Sequence, residues 1–149
     1  MQVNGLDHVN IVTDDLEGTA QFYADVLGLR AESTPNAPPG FNGKWVYDPS
    51  VAAIIHLMAH MPERHGPRDS GTTTGHIDHV ALQCEDFAGM IARCEALGIE
   101  HRVNDRKFGT LRQVFVTDPN GVMVELNYEA AKEGGVVAPA ERRDDVGAR

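Results

Sequence analysis

The sequence has only two cysteines among its 149 residues, Cys84 and Cys94, and no C-x-x-C. That excludes a disulfide-rich scaffold and a zinc knuckle and leaves two free thiols as the expectation. Net positive charge is also missing. Thirteen Lys and Arg stand against 22 Asp and Glu, a formal net charge of −9, which argues against nucleic acid or an anionic membrane surface as the main partner. No apolar run approaches the length of a membrane-spanning helix. The start, "MQVNGLDHV", lacks the basic and apolar regions of a secretion signal, so a cytoplasmic location is expected. What is present is an ordinary globular composition, 42% hydrophobic and 23% charged, in a chain long enough for one domain with a real core.

Periodicity orders the chain. "LDHVNIVT" alternates and is rich in β-branched residues, so it reads as a strand. In "DDLEGTAQFYADVLG" Leu16, Ala20, Tyr23 and Leu27 recur at helical spacing, with Asp14 or Asp15 as N-cap and Gly28 as the stop. "GLRAEST" is a second strand, "PNAPPGFNG" a loop, and "KWVYDPSVAAIIHLM" two strands joined by a turn at Asp48-Pro49-Ser50. A polar, Gly- and Pro-rich linker follows. The order then repeats: strand "HIDHVALQC", helix "EDFAGMIARCEALG", strand and loop in "IEHRVNDRKFG", and a hairpin "LRQVFVTDPNGVMVELNY" turning at Asp118-Pro119-Asn120-Gly121. From Ala130 the residues are small or charged, as in a mobile tail with room for one helical turn.

The chain is therefore a β-α-β-β-β unit written twice, an α+β pattern. Asp7-His8-Val9 matches Asp78-His79-Val80 at an offset of 71, and Leu27-Gly28 matches Leu97-Gly98 at 70. Asp48-Pro49 matches Asp118-Pro119, also at 70. Modules of about 4–60 and 75–129, a linker over 61–74 and a tail over 130–149 follow from these landmarks.

Each unit then offers one metal-competent side chain on its first strand and one on its last. These are His8 and His56, and His79 and Glu125, with His56 matching Glu125 at an offset of 69. Strand alternation groups His8 with Asn10, His56 with Ile54 and Met58, His79 with Ala81 and Gln83, and Glu125 with Met123 and Asn127. The opposite faces are aliphatic and suited to carry the helices. A sheet with helices on one side would bring the four ligand-type residues together in one cavity on the other. A lone strand histidine is more often a surface or hydrogen-bonded core residue, but four at matched repeat positions and matched parity favour a metal site. Imidazole with carboxylate suits iron, manganese, cobalt, nickel or zinc. Three or four protein ligands on an octahedral ion leave positions open for substrate. His56 could instead stand behind the ligands or transfer a proton. His60, His65, His76 and His101 fall in or beside loops or off the pattern and read as solvated, with His76 a weaker alternative ligand. Trp45, Phe108, Gln113 and Asn127 are pocket candidates by position, each equally open to a packing or surface role.

The segments "LDHVNIVTDDLEGTAQFYADVLGL", "AAIIHLM", "IDHVALQCEDFAGMIARCEALGIE" and "VFVTDPNGVMVELNY" resemble the vicinal oxygen chelate superfamily, which includes glyoxalase I, fosfomycin- and bleomycin-resistance proteins and extradiol dioxygenases. The resemblance spans about residues 4–128. It implies two βαβββ modules forming a U-shaped mixed sheet with helices on the convex face, around a divalent metal. By the glyoxalase I pattern the ligands are His8, His56, His79 and Glu125. His56 departs from the bacterial glyoxalase I pattern, where a glutamate usually stands.

The first functional expectation is a metal-dependent lyase or isomerase of glyoxalase type. It would act on a small oxygen-chelating substrate through a metal-stabilised enediolate, with Glu125 or a metal-bound hydroxide as base and His56 as ligand or proton-transfer group. The alternatives are an Fe(II) ring-cleaving dioxygenase on His8, His79 and Glu125, a thiol transferase of fosfomycin-resistance type on the same three, or a drug-sequestering protein with no working metal. Family habit implies a homodimer, with the site either within one chain or shared across a swapped pair.

Overall fold

A computed structural model of the chain describes residues 1–3, 5–67, 74–105 and 110–133. The first module runs β1 (Val9–Thr13), α1 (Leu16–Asp25), β2 (Arg30–Ser33), β3 (Gly43–Tyr47) and β4 (Ala53–Ala59). A short helix α2 (Pro62–His65) follows. The second module runs β5 (His79–Cys84), α3 (Phe87–Leu97), β6 (His101–Asn104), β7 (Leu111–Thr117) and β8 (Met123–Glu129). Each module builds its own four-stranded mixed sheet, in the order β1-β4-β3-β2 and β5-β8-β7-β6. The first strand of each lies parallel to the last, and the other pairings are antiparallel. The α+β reading with two βαβββ units holds.

Both long helices start the same way. The Asp15 carboxylate accepts from the Gly18 amide at 2.9 Å, and Asp86 accepts from Gly89 at 3.0 Å. The carboxylate folds over the glycine so closely that any side chain there would collide with it. The D-x-x-G cap is thus another repeat landmark, at an offset of 71, and it satisfies an orphan amide of the first turn. Asp86 has a left-handed backbone, with φ of 66°. The carboxylate of Glu133 accepts from the amides of Asp86 and Phe87 at 2.9 and 3.0 Å and holds that turn.

Alternation sets the faces as expected. Along β4 Ile55 and Leu57 are buried, and along β8 so are Val124, Leu126 and Tyr128, while His56, Glu125 and Asn127 remain partly open. The buried side chains of α1, Leu16, Ala20 and Tyr23, join Ile11, Val46, Ile55 and Leu57 in one core. That core also includes Phe87, Cys94, Val114 and Leu126 of the second module, so the two modules share it. Cys84 and Cys94 are free thiols.

A polar hub crosses between the modules within this apolar setting. The hydroxyl of fully buried Tyr23 donates to Asp118 at 3.2 Å. Asp118 also accepts from the amides of Asn120 and Val122, both at 2.8 Å. Asn120 reaches the Thr19 hydroxyl at 3.1 Å, which in turn bonds Thr13 at 2.9 Å. The D-P-N-G turn is therefore the clasp between module 2 and α1.

The linker and the start of the tail carry local structure, and the reading of two histidines needs correction. The linker contains helix α2, begun by Pro62, whose missing N–H costs nothing in a first turn. Residues 130–133, assigned to the tail, form a turn in which Ala130 is buried and its amide donates to Thr110. His60 and His65 are not simply solvated: His60 contacts Asp14 and the Gly66 carbonyl, each at 2.8 Å, and His65 Nδ1 accepts from the Met61 amide at 3.0 Å. Phe108, residues 68–73 of the linker and residues 134–149 lie outside the described residues. No helix among the described residues is long and apolar enough to cross a membrane.

Burial raises the pKa of the Tyr23 phenol, with the Asp118 carboxylate adding to the effect. Burial raises Tyr128 in the same direction. The folded state thus keeps protons that the unfolded chain releases above pH ~10. Stability from these groups is fully present below that pH and is lost as pH rises beyond it. Urea unfolding at pH 8 and pH 10.5 should show a clear fall in stability. Tyr23→Phe should cost about 1–3 kcal/mol at pH 8 through the lost charge-assisted hydrogen bond, with a shallower alkaline decline. An unchanged midpoint for that variant at pH 8 would count against the clasp.

Candidate metal centre

The four candidate ligands sit at equivalent places in the two sheets. His8 immediately precedes β1 and His79 opens β5. Parallel pairing sets Asn10 opposite His56 and Ala81 opposite Glu125. Each first-strand histidine is therefore diagonal to its last-strand partner on the same face, two residues away along the strand.

The repeated Asp-His dipeptide has a definite geometry. Asp7 Oδ2 lies 2.6 Å from His8 Nδ1, and Asp78 Oδ2 lies 2.8 Å from His79 Nδ1. A carboxylate that holds Nδ1–H fixes the ring orientation and leaves the Nε2 lone pair available, the arrangement common behind metal-bound histidine. The hydrogen bond that His79 donates to Asp78 raises its pKa, outweighing partial desolvation, and the Glu125 charge adds to the rise.

The partners differ between the modules. In the first, His8 stacks on His56 with ring centroids 3.7 Å apart and planes 21° apart. Trp45, the direct neighbour of His56 across β3, stacks on it at 4.5 Å and 3°. Because β4 lies between β1 and β3, His56 is held between two rings. Burial lowers its pKa, nearby His8 adds to this, and Asp7 opposes it. In the second module His79 Nε2 faces Glu125 Oε2 at 3.4 Å. Glu125 Oε1 accepts from Gln113 Nε2 and Asn127 Nδ2, both at 2.8 Å.

This donor set fits a first-row divalent ion. Imidazole nitrogen and carboxylate oxygen are the right donors, and no thiolate competes. The separation of 3.4 Å between His79 Nε2 and Glu125 Oε2 is near the ~3 Å expected of neighbouring donors ~2.1 Å from one ion. Among the described residues, no three His, Cys, Asp or Glu side chains of one chain form a cluster able to hold a metal. The structure brings the four candidates together as two pairs, one on each sheet. A cavity of about 600 Å³ between the modules has a mixed lining that includes His8, Gln83, Glu85 and Arg93, but none of His56, His79 and Glu125, so the donors do not meet there.

The sequence reading did not single out Asp7, Asp78 or Asn104 for a role. The first two carried a signal, since Asp precedes His in both copies. Asn104 carried none. His76 is exposed, and His101 Nδ1 bonds the Ile99 carbonyl at 2.9 Å.

A family model for the glyoxalase/bleomycin resistance protein/dioxygenase superfamily matches residues 5–126. The chain belongs to this superfamily. It is 24% identical over 128 residues to "Glyoxylase I 4" of Arabidopsis thaliana, across 85% of this chain and 71% of that one. It is 29% identical over 131 residues to a "Probable lactoylglutathione lyase" of Synechocystis, across 85% and 96%. Among solved structures it is similar to a variant of the fosfomycin resistance protein FosX from Listeria monocytogenes, complexed with Mn(II) and 1S,2S-dihydroxypropylphosphonic acid. The TM-score is 0.64 at 21% identity, across 86% of this chain and 94% of that one. The shared superfamily fold thus holds a divalent ion in at least that relative.

The opposite shifts of His56 and His79 are measurable. In metal-free protein, NMR titration of the imidazole protons should place His79 above and His56 below the ordinary histidine value. Asp78→Ala should return His79 toward that value and leave His56 where it was. A His79 that does not move would show that Asp78 does not hold its Nδ1.

Proposed function

We propose that the chain is a divalent-metal lyase or isomerase of glyoxalase type, acting on a small substrate that presents two neighbouring oxygens. The observation that carries this reading is the twice-built pair: a carboxylate-held histidine on the first strand, diagonal to a second donor on the last. The lyase names of the relatives support the same chemistry. His8, His56, His79 and Glu125 would hold the ion, drawn from iron, manganese, cobalt, nickel and zinc.

When bound, the ion supplies Lewis acidity toward the substrate's adjacent oxygens. The chain's own residues supply the rest. Asp7 and Asp78 keep the two imidazoles in the ligating tautomer. Trp45 and His8 keep the His56 ring in one plane. Glu125 is the base: its carboxylate takes the proton from the hydroxyl-bearing carbon beside the carbonyl and returns it to the former carbonyl carbon, while the hydroxyl proton passes to the former carbonyl oxygen.

Because the two pairs lie on separate sheets of one chain, we read the complete site as shared in a homodimer. His8 and His56 of one protomer would face the partner's His79 and the partner's Glu125. The outer edges of β1 and β5 carry no strand partner among the described residues, which leaves both free to meet a second copy.

The stacking of His56 between two rings favours a second reading. If it stays off the ion, His8, His79 and Glu125 form a two-histidine, one-carboxylate set suited to Fe(II) and ring cleavage.

Elemental analysis of protein purified without added metal tests the first step, with one divalent ion per chain expected and loss of it in His8→Ala and in Glu125→Ala. Nickel, cobalt or zinc with solvent proton exchange on an α-hydroxycarbonyl supports the isomerase. Iron with oxygen uptake on a catechol supports the dioxygenase. Mixing the two inactive variants after mild unfolding tests sharing. A cross-protomer site gives each mixed dimer one intact centre, so about a quarter of wild-type activity should return from a random twofold-symmetric mixture. A site within one chain returns none.

A further inference from the structure

Glu125 is held by a closed ring of amides whose orientation is set from outside the metal pairs. Gln113 Nε2 donates to Glu125 Oε1 at 2.8 Å and to Asn127 Oδ1 at 3.0 Å, using both of its hydrogens. Asn127 Nδ2 donates to the same Glu125 oxygen at 2.8 Å. Asn104, on the outermost strand β6, donates from Nδ2 to Gln113 Oε1 at 2.6 Å. These bonds are mutually exclusive with any flipped amide. Turning Gln113 over would set its Nε2 against the Asn104 amine and its Oε1 against the Glu125 carboxylate. Register explains the alignment, since Asn104 pairs with Gln113 and Gln113 with Asn127 across three adjacent strands.

One carboxylate oxygen, Oε1, thus receives two donors, while Oε2 faces His79 Nε2 at 3.4 Å. The first module has no such cradle: Gly43 stands at the repeat position of Gln113, at an offset of 70, and Met58 at that of Asn127, at 69.

We propose that Gln113, oriented by Asn104, is a positioning residue that reserves Oε1 of Glu125 for the amides, so that Glu125 meets the ion through Oε2 alone. This rests on the metal reading given under Proposed function. Single-oxygen ligation keeps one more place on the ion for a two-oxygen substrate. It also leaves the base with a fixed direction. Without the cradle, Oε1 is free to swing to the ion and fill that place.

Gln113→Met removes the donor at similar volume. Asn104→Asp keeps the shape but presents only acceptors to Gln113, which turns its amide over. Titration with Co(II), followed by its visible absorption, reads affinity and coordination without turnover. Both variants should bind about 10–100-fold more weakly, the usual effect of losing a partner behind a ligand, and both should show the same altered Co(II) spectrum. Asn104→Ser, which restores a donor, should recover the wild-type spectrum at least in part. If wild-type protein binds Co(II), Glu125→Ala abolishes binding, and both variants match wild type in affinity and spectrum, the positioning role is overturned while the metal site stands. If wild-type protein fails to bind at all, the metal reading itself fails and this inference falls with it.

Discussion

Parallel pairing of the first and last strands of each module is the constraint on which both halves of the site depend. A tight turn cannot join parallel neighbours, so a long connection must come between them, and here it is a helix and two further strands. That intervening chain is the βαβββ unit. Once β1 lies beside β4 and β5 beside β8, a residue at the head of the first strand is diagonal to one near the middle of the last. The same backbone register therefore makes the same kind of pair twice, whatever side chains occupy it. The candidate donor positions are thus properties of the topology, whatever side chains fill them.

The relation between the modules depends on a different interaction. Tyr23 and Asp118 are 95 residues apart, and their hydrogen bond is buried in a shared apolar core. A buried carboxylate is costly unless its oxygens are satisfied. Here the turn's own amides, Asn120 and Tyr23 do so. The clasp places the second module's hairpin turn against α1. The two sheets meet there over one shared core. Their donor faces are left as separate pairs in the single chain, and this is the physical reason a second copy enters the functional reading.

Most of the fold was legible because it is carried by short-range signals: alternation in the strands, Asp caps, and turn residues after β3 and β7. The donor faces were legible for the same reason, since parity alone separates His56 from Ile55 and Glu125 from Val124. The ring stack on His56 was not. It depends on the register between β3 and β4, where a shift occurs at Val46 and Tyr47, and no local signal sets that shift. Asp15 as the cap was open to confusion with Asp14 because both precede the helix. The structure separates them by their long-range partners: Asp14 goes to His60, 46 residues away. His60 read as solvated for the same reason, since its partners are distant in the chain or a loop carbonyl.

The two modules have kept one backbone design and diverged in what surrounds the last-strand donor. A neutral imidazole needs little compensation when it is partly buried. Flat apolar rings suffice, and the flanking of His56 by Trp45 and His8 supplies shape more than charge. A carboxylate in the same place loses hydration and needs donors in return. The amides of Gln113 and Asn127 provide them without neutralising the charge, as a lysine or arginine would. Glu125 is thereby fixed in direction beside His79. An internal repeat with identical pairs would place two equal halves around one ion. On the metal reading proposed above, the divergence would give nitrogen donors alone to one half and a carboxylate to the other, the asymmetry that proton transfer at one end of a chelated substrate would use.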